Sequence, residues 1–344
     1  MRLLKLRFGD PGDQIRSLLN NNLIGTPGQS MVYQHQRVDS KLDYIKHPIF
    51  VSVELGGSVV GVCCFVKRAT YSLGEAAESF YIRYFSFKDA FRSGSKAIGR
   101  IAKKSRLKEE IESLFSTNVL SEKPKVFYAY VDPGNLRSKR IIESYHFHEI
   151  GRFQTVYFSR FFPKKHSKVI ELSGGLLAEY KKLAKQEYKD HLLYTDENLG
   201  YENGAYGIVE NGQLVAALQA NAERWKIYEI PGGKQLIKLV SKIPLINRLF
   251  NINFEFLSLE GIVVKAGYEH YLAQLIETAL VEKQRNTAIT CISKASKYYG
   301  LIKGMNQGFI TRLSSEKEMA VVARFEEVED RRGELVYVSG FDNM

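Results

Sequence analysis

Cysteine is scarce in this chain of 344 residues: there are three, and two of them, Cys63 and Cys64, stand side by side in an apolar run. That arrangement provides neither a disulfide framework nor the spaced ligands of a metal site, so no metal is expected and a reducing compartment suits it. No apolar run reaches the roughly 18 residues that span a bilayer; the longest, around Val59 to Val66, is strand-like. The opening segment from Met1 to Arg7 alternates charged with apolar residues and lacks the apolar core and cleavage site of a secretory signal, so the expected location is the cytoplasm. Acidic residues are outnumbered, 38 against 49 lysines and arginines, for a net charge of +11. Such an excess favours phosphate-rich ligands, nucleic acid or anionic membranes, or serves solubility alone; no compact nucleic-acid recognition motif accompanies it.

What is present, 44% hydrophobic and 25% charged residues over this length, describes a folded chain of two domains. The pattern of elements reads twice. Two strands surround Gly56-Gly57 between Ile49 and Val66, and two more surround Asn211-Gly212 between Tyr206 and Leu218. A helix is expected before each hairpin, over 12–20 and 176–188. After each come a basic insert, a strand, a helix, another strand and a closing hairpin, 149–162 in the first half and 309–325 in the second. In the second half the intervening elements are a strand over 254–264, a helix over 269–283 and a strand over 288–293. Pro163 to Lys168 has the composition of a connector, giving domains 1–163 and 168–344, each an α/β mixed sheet.

The stretch Phe127-Tyr-Ala-Tyr-Val-Asp-Pro-Gly-Asn135, then Leu136 to Tyr145, then His146-Phe147-His148 to Phe153, reads strand, turn, helix, strand. It resembles the last third of a GNAT-type N-acyltransferase, in which a strand ends near an asparagine, a short helix follows and a Gly-Phe pair leads into the final hairpin. Asn135 and Phe147 are twelve apart, as in the family, and His146 replaces the glycine. The order of elements makes the whole chain similar to a tandem GNAT protein.

The resemblance implies acetyl-CoA or a longer acyl-CoA as co-substrate and a small-molecule or peptide amine as acceptor. In the family a glycine-bearing loop between a splayed strand and a helix binds the pyrophosphate, because glycines let backbone N–H groups approach and the helix N-terminus adds partial positive charge. The equivalent positions are Arg106, Leu107 and Lys108 in the first half, a stretch without glycine, and Val264, Lys265, Ala266, Gly267 and Tyr268 in the second; Asn135 belongs to the same cofactor site. Gly267 is the stronger anion-site candidate, or an ordinary loop glycine. The family's proton donor, a tyrosine seven residues after the asparagine, is Ile142 here, which leaves Tyr145 as the candidate acid, or as a packing residue beside Phe147. Glu260 is the candidate base and Glu255 a further one, each equally readable as a solvent-facing carboxylate. His146 and His148 lack a third metal ligand.

Basic, apolar inserts over 88–108 and 234–250, the latter with Lys234, Lys238, Lys242 and Arg248, either pack on their own domain or contact a membrane or acylated ligand. The expected activity is acyl transfer from a coenzyme A thioester to an amine. Two alternatives remain: a tandem GNAT-like transferase taking its acyl group from aminoacyl-tRNA, and a non-catalytic ligand-binding protein.

Overall fold

A computed structural model describes residues 3–73, 77–88, 105–231, 242–313 and 317–343. The first half contains β1 (Leu4–Phe8), α1 (Asp13–Asn20), β2 (Val32–His35), α2 (Val38–Tyr44), β3 (Pro48–Leu55), β4 (Ser58–Arg68), β5 (Glu78–Phe87), α3 (Ser105–Ser116), β6 (Lys125–Val131), α4 (Leu136–Ser144) and β7 (His148–Ser159). The second contains β8 (Val169–Glu171), α5 (Gly174–Glu187), β9 (Ala205–Glu210), β10 (Gln213–Glu229), α6 (Pro244–Leu249), β11 (Asn253–Val264), α7 (Tyr271–Glu282), β12 (Thr287–Ile292), α8 (Lys297–Gly304), α9 (Ile310–Leu313), β13 (Lys317–Glu326) and α10 (Gly340–Asn343).

Both expected hairpins form. Gly56 and Gly57 have φ of +56° and +76°, and Asn211 and Gly212 have +51° and +76°. Two consecutive left-handed residues make the turn whose twist matches that of the flanking strands, and glycine and asparagine tolerate it best. The strand after Gly212 runs to Glu229, well past the expected Leu218.

One mixed sheet runs through the chain in the order β1-β3-β4-β5-β6-β13-β7-β12-β11-β10-β9-β8, with β2 on the far half of β10. β5 and β6 are parallel, as are β11 and β12; every other strand pair is antiparallel. The two halves repeat one pattern about the centre, β8-β9-β10-β11-β12-β7 corresponding to β1-β3-β4-β5-β6-β13 with the parallel pair at the same place in each. The centre of the sheet corrects the two closing hairpins. Residues 148–159 form a single strand, because 148–155 pair with β13 and 154–159 with β12, leaving no point at which the chain turns back on itself. Residues 309–325 divide into α9 and β13. Each half thus supplies one closing strand and lends it to the other: β13 pairs with β6 and β7 pairs with β12, while the two pair with each other.

Three apolar cores follow. Helix α7 lays Leu272, Leu275, Ile276, Ala279 and Leu280, spaced i, i+3, i+4, i+7 and i+8, onto the second-half sheet with α5 and α8. Leu114 and Phe115 of α3 cover one face of the first half. The third core takes residues from both halves: Ile15, Leu19, Val38 and Leu42 of α1 and α2, Trp225 of β10, Phe256 of β11, and Phe341.

Candidate functional site

Each half contains a parallel strand pair that splays apart. β5 pairs with β6 from Glu78 to Tyr81, and β11 with β12 from Leu257 to Leu259. Beyond those points each longer strand carries a bulge against its antiparallel neighbour, and the two bulges occupy equivalent positions in the strand register. Arg83 corresponds to Glu260, Tyr84 (φ +58°) to Gly261 (φ +61°), and Ser86 to Val263. A bulge re-aims backbone groups and ends regular pairing, which opens the splay.

The second splay is filled by the protein itself. The Tyr180 hydroxyl donates to Gly261 O at 2.7 Å and the Tyr188 hydroxyl to Ile262 O at 2.6 Å. Gly261 N donates to the Tyr337 hydroxyl, and Val264 N to that of Tyr298, both at 3.1 Å. Tyr194 completes the cluster by ring packing, with centroids 5.1 Å from Tyr188 and 4.9 Å from Tyr337, its buried hydroxyl making no hydrogen bond among the described residues. Burial pushes the hydroxyl pKa values of Tyr180, Tyr188, Tyr298 and Tyr337 upward, so they stay protonated. The adjoining loop is also self-contained. Lys265 N donates to Val215 O and Tyr268 N to Lys265 O. Gly267 N donates to Glu269 Oε1 at 3.1 Å. Glu269's own N–H, then that of Gly267, hold its carboxyl below the ordinary range. Ala266 completes this turn before α7.

The first splay differs. Among the described residues the buried Ser86 Oγ and Tyr84 hydroxyl have no hydrogen-bond partner. Among the described residues no side chain accepts from the amides of Tyr84 or Phe87, the counterparts of Gly261 and Val264. Arg106, Leu107 and Lys108 form the first turn of α3, and Leu107 packs on the first-half core. Asn135 is the N-cap of α4, where its side chain accepts from Ser138 N at 3.1 Å. Gly94, Lys96 and Gly99 of the first basic insert, like Lys234 and Lys238 of the second, lie outside the described residues.

The candidate acid and base stand apart. Tyr145 lies half-buried at the end of α4, its ring 6.0 Å from that of Phe115; burial and then Glu112 raise its pKa. Ile142 packs on the same core. Glu260 is buried at the base of the second splay, against the expectation of a solvent-facing carboxylate. Its oxygens accept from Asn221 Nδ2 at 2.6 Å and Ser339 Oγ at 2.9 Å. Burial raises its pKa, opposed by these two bonds. Glu255 is partly exposed and pairs with Arg285 and Arg224. His146 adopts φ +60°, the left-handed backbone that the family's glycine would occupy. No group of metal-ligating residues occurs among the described residues.

A buried ionic cluster where the halves meet went unread in the sequence. Lys41 on α2 pairs with Glu223 on β10 at 2.5 Å, and both are buried. Burial lowers the Lys41 pKa to about 8, with Glu223 opposing. Arg68 binds Asp342 through both Nε and Nη2 and reaches Glu197 at 3.2 Å, while Arg83 donates to Phe341 O at 3.1 Å. The Phe341 ring has Lys41, Arg83 and Arg68 within 5.0, 5.4 and 5.9 Å of its centroid. Beside this cluster, Tyr33 and His35 on β2 pack against Trp225, with Tyr33 stacked on it at 4.1 Å. The His35 imidazole makes no hydrogen bond among the described residues. Burial, then Lys41, then Arg83, lower its pKa well below the ordinary value, so it is neutral at pH 7. Two signals were available: an arginine inside the aromatic run Phe80-Tyr-Ile-Arg-Tyr-Phe85, and the apolar run Val336-Tyr-Val-Ser-Gly-Phe341 after a polar stretch.

Similar architectures occur among solved structures. An N-myristoyltransferase from Saccharomyces cerevisiae with bound myristoyl-CoA matches with a TM-score of 0.55 at 10% identity, over 94% of this chain and 83% of that one. The same enzyme with myristoyl-CoA and inhibitors gives 0.55 at 9% identity, over 94% and 80%. A GCN5-related N-acetyltransferase from Anabaena variabilis gives 0.49 at 11% identity, over 93% and 72%. No family model and no curated protein matches the sequence. The likeness to the yeast enzyme establishes the fold, the mixed α/β GNAT type.

Proposed function

We propose that this chain is an acyl-CoA-dependent N-acyltransferase that holds its acyl-CoA in the first half, the second splay having become structural. The contrast between the two splays carries this reading. One has its backbone groups capped by tyrosine hydroxyls and its loop by Glu269. The other has no side chain on the amides of Tyr84 and Phe87 among the described residues. The fold shared with a myristoyl-CoA-binding enzyme supports it further.

In this mechanism the thioester lies between β5 and β6, and the amides of Tyr84 and Phe87 polarise its carbonyl. The first turn of α3, with Arg106 and Lys108, takes the phosphates. The acceptor, a small-molecule or peptide amine, loses a proton to His35, its nitrogen bonds to the carbonyl carbon, and the carbon–sulfur bond breaks to release the thiolate. Glu260 acts by holding Ser339 and the segment that carries Phe341 and Asp342, and Tyr145 by packing.

Isothermal titration with acetyl-CoA and a longer acyl-CoA tests the assignment and settles the acyl length. Arg106→Glu is expected to weaken binding about tenfold or more, the loss of roughly 1.4 kcal/mol, while Gly267→Asp leaves it unchanged. Binding lost only in Gly267→Asp would move the site to the second half, and no binding of either ligand would end the proposal.

A further inference from the structure

At the end of β7 the chain presents Phe162, 68% exposed, beside α6, whose start exposes Ile243 (44%) and Leu245 (53%). The Arg248 guanidinium lies 4.8 Å from the Phe162 ring centroid and ties the two segments into one surface. Lys242 precedes Ile243 in sequence, Lys164 follows Phe162 by two residues, and with Arg248 all three side chains are exposed and none is paired with a carboxylate among the described residues. Neither 159–170 nor 242–254 contains an acidic residue. Large apolar side chains held in water cost free energy unless something covers them. Aromatic and aliphatic tips beside lysine and arginine match the boundary between acyl chains and anionic headgroups, since the apolar groups enter and the cations stay at the phosphates.

We infer that this face docks the protein on the surface of an anionic lipid bilayer as a peripheral contact. The charge decides the occupant: Glu277 and Glu282 at the α7 side are paired with Arg160 and Lys165, an apolar protein partner has no need of the cations left over, and an anionic membrane attracts each basic residue within a Debye length of its surface. The inference is independent of the catalytic assignment, because its test reads binding alone.

The experiment is vesicle flotation of the full chain with phosphatidylcholine alone and with phosphatidylcholine containing phosphatidylglycerol. Flotation is expected only with the anionic vesicles and is expected to fall as salt rises. The pairs Phe162→Ser with Leu245→Ser, and Lys242→Glu with Arg248→Glu, should each cut the bound fraction about tenfold. Phe8→Ser, a control at the exposed edge strand β1, should change nothing. All substituted side chains are exposed, so thermal unfolding should stay in place. Equal flotation with both vesicle types, indifference to both double variants, or self-association through this face in sedimentation would overturn the inference.

Discussion

At the scale of single residues, position 146 shows how far the sequence could be read. The spacing of Asn135 and Phe147 identified the turn between helix and strand, and the structure gives His146 the backbone expected of the glycine it replaces. His35 was invisible, because its depressed pKa comes first from burial in the folded chain and then from Lys41 and Arg83, neither of them adjacent in sequence. Its depressed pKa has a definite sign. The unfolded chain binds a proton near pH 6.5 and the folded chain does not, so His35 contributes stability above pH 6.5 that is lost as the pH falls below it. The same shift keeps the proposed base unprotonated at neutral pH. The rate should therefore be flat through pH 7 and decline only below pH 6.5. His35→Gln should lower kcat about 100-fold with acyl-CoA affinity retained, and an unchanged kcat in steady-state assays would remove the imidazole from the mechanism.

At the scale of elements, hairpins with their own turn residues were legible, because Gly56-Gly57 and Asn211-Gly212 encode the turn locally. The closing strands were not, since no residue within 149–162 or 309–325 reports that its partner lies in the other half. The tyrosine plug escaped notice for the same reason: Tyr180, Tyr188, Tyr298 and Tyr337 converge from separate segments. If the plug is structural, removing one hydroxyl affects stability alone. Tyr298→Phe leaves the Val264 amide without its acceptor and should cost about 1–3 kcal/mol, measured by denaturant unfolding, with acyl-CoA titration unchanged. Weaker acyl-CoA binding in this variant would contradict the assignment of the second splay.

At the scale of the molecule, the sheet makes the proposed division into 1–163 and 168–344 a matter of sequence more than of stability. Cutting there leaves β6 without β13 and β12 without β7, and it separates Lys41 from Glu223 and Arg68 from Asp342. Each severed pair leaves a buried charge uncompensated, typically a loss of about 3–5 kcal/mol. Neither half expressed alone should give a cooperative thermal transition, whereas the two produced together should recover one; a stable isolated half would show that the shared strands are dispensable.

The same exchange governs how the chain reaches its native state. β6 is complete once Val131 has been made, yet the strand that closes its edge begins at Lys317. At typical synthesis rates of about 5–20 residues per second the interval lasts roughly 10–40 s. Throughout it, the nascent first half exposes an unpaired strand edge, the template on which misfolded chains add to one another. The basic excess that totals +11 in the complete chain acts, as it accumulates, as mutual repulsion between growing chains, so it opposes aggregation before there is a fold to stabilise.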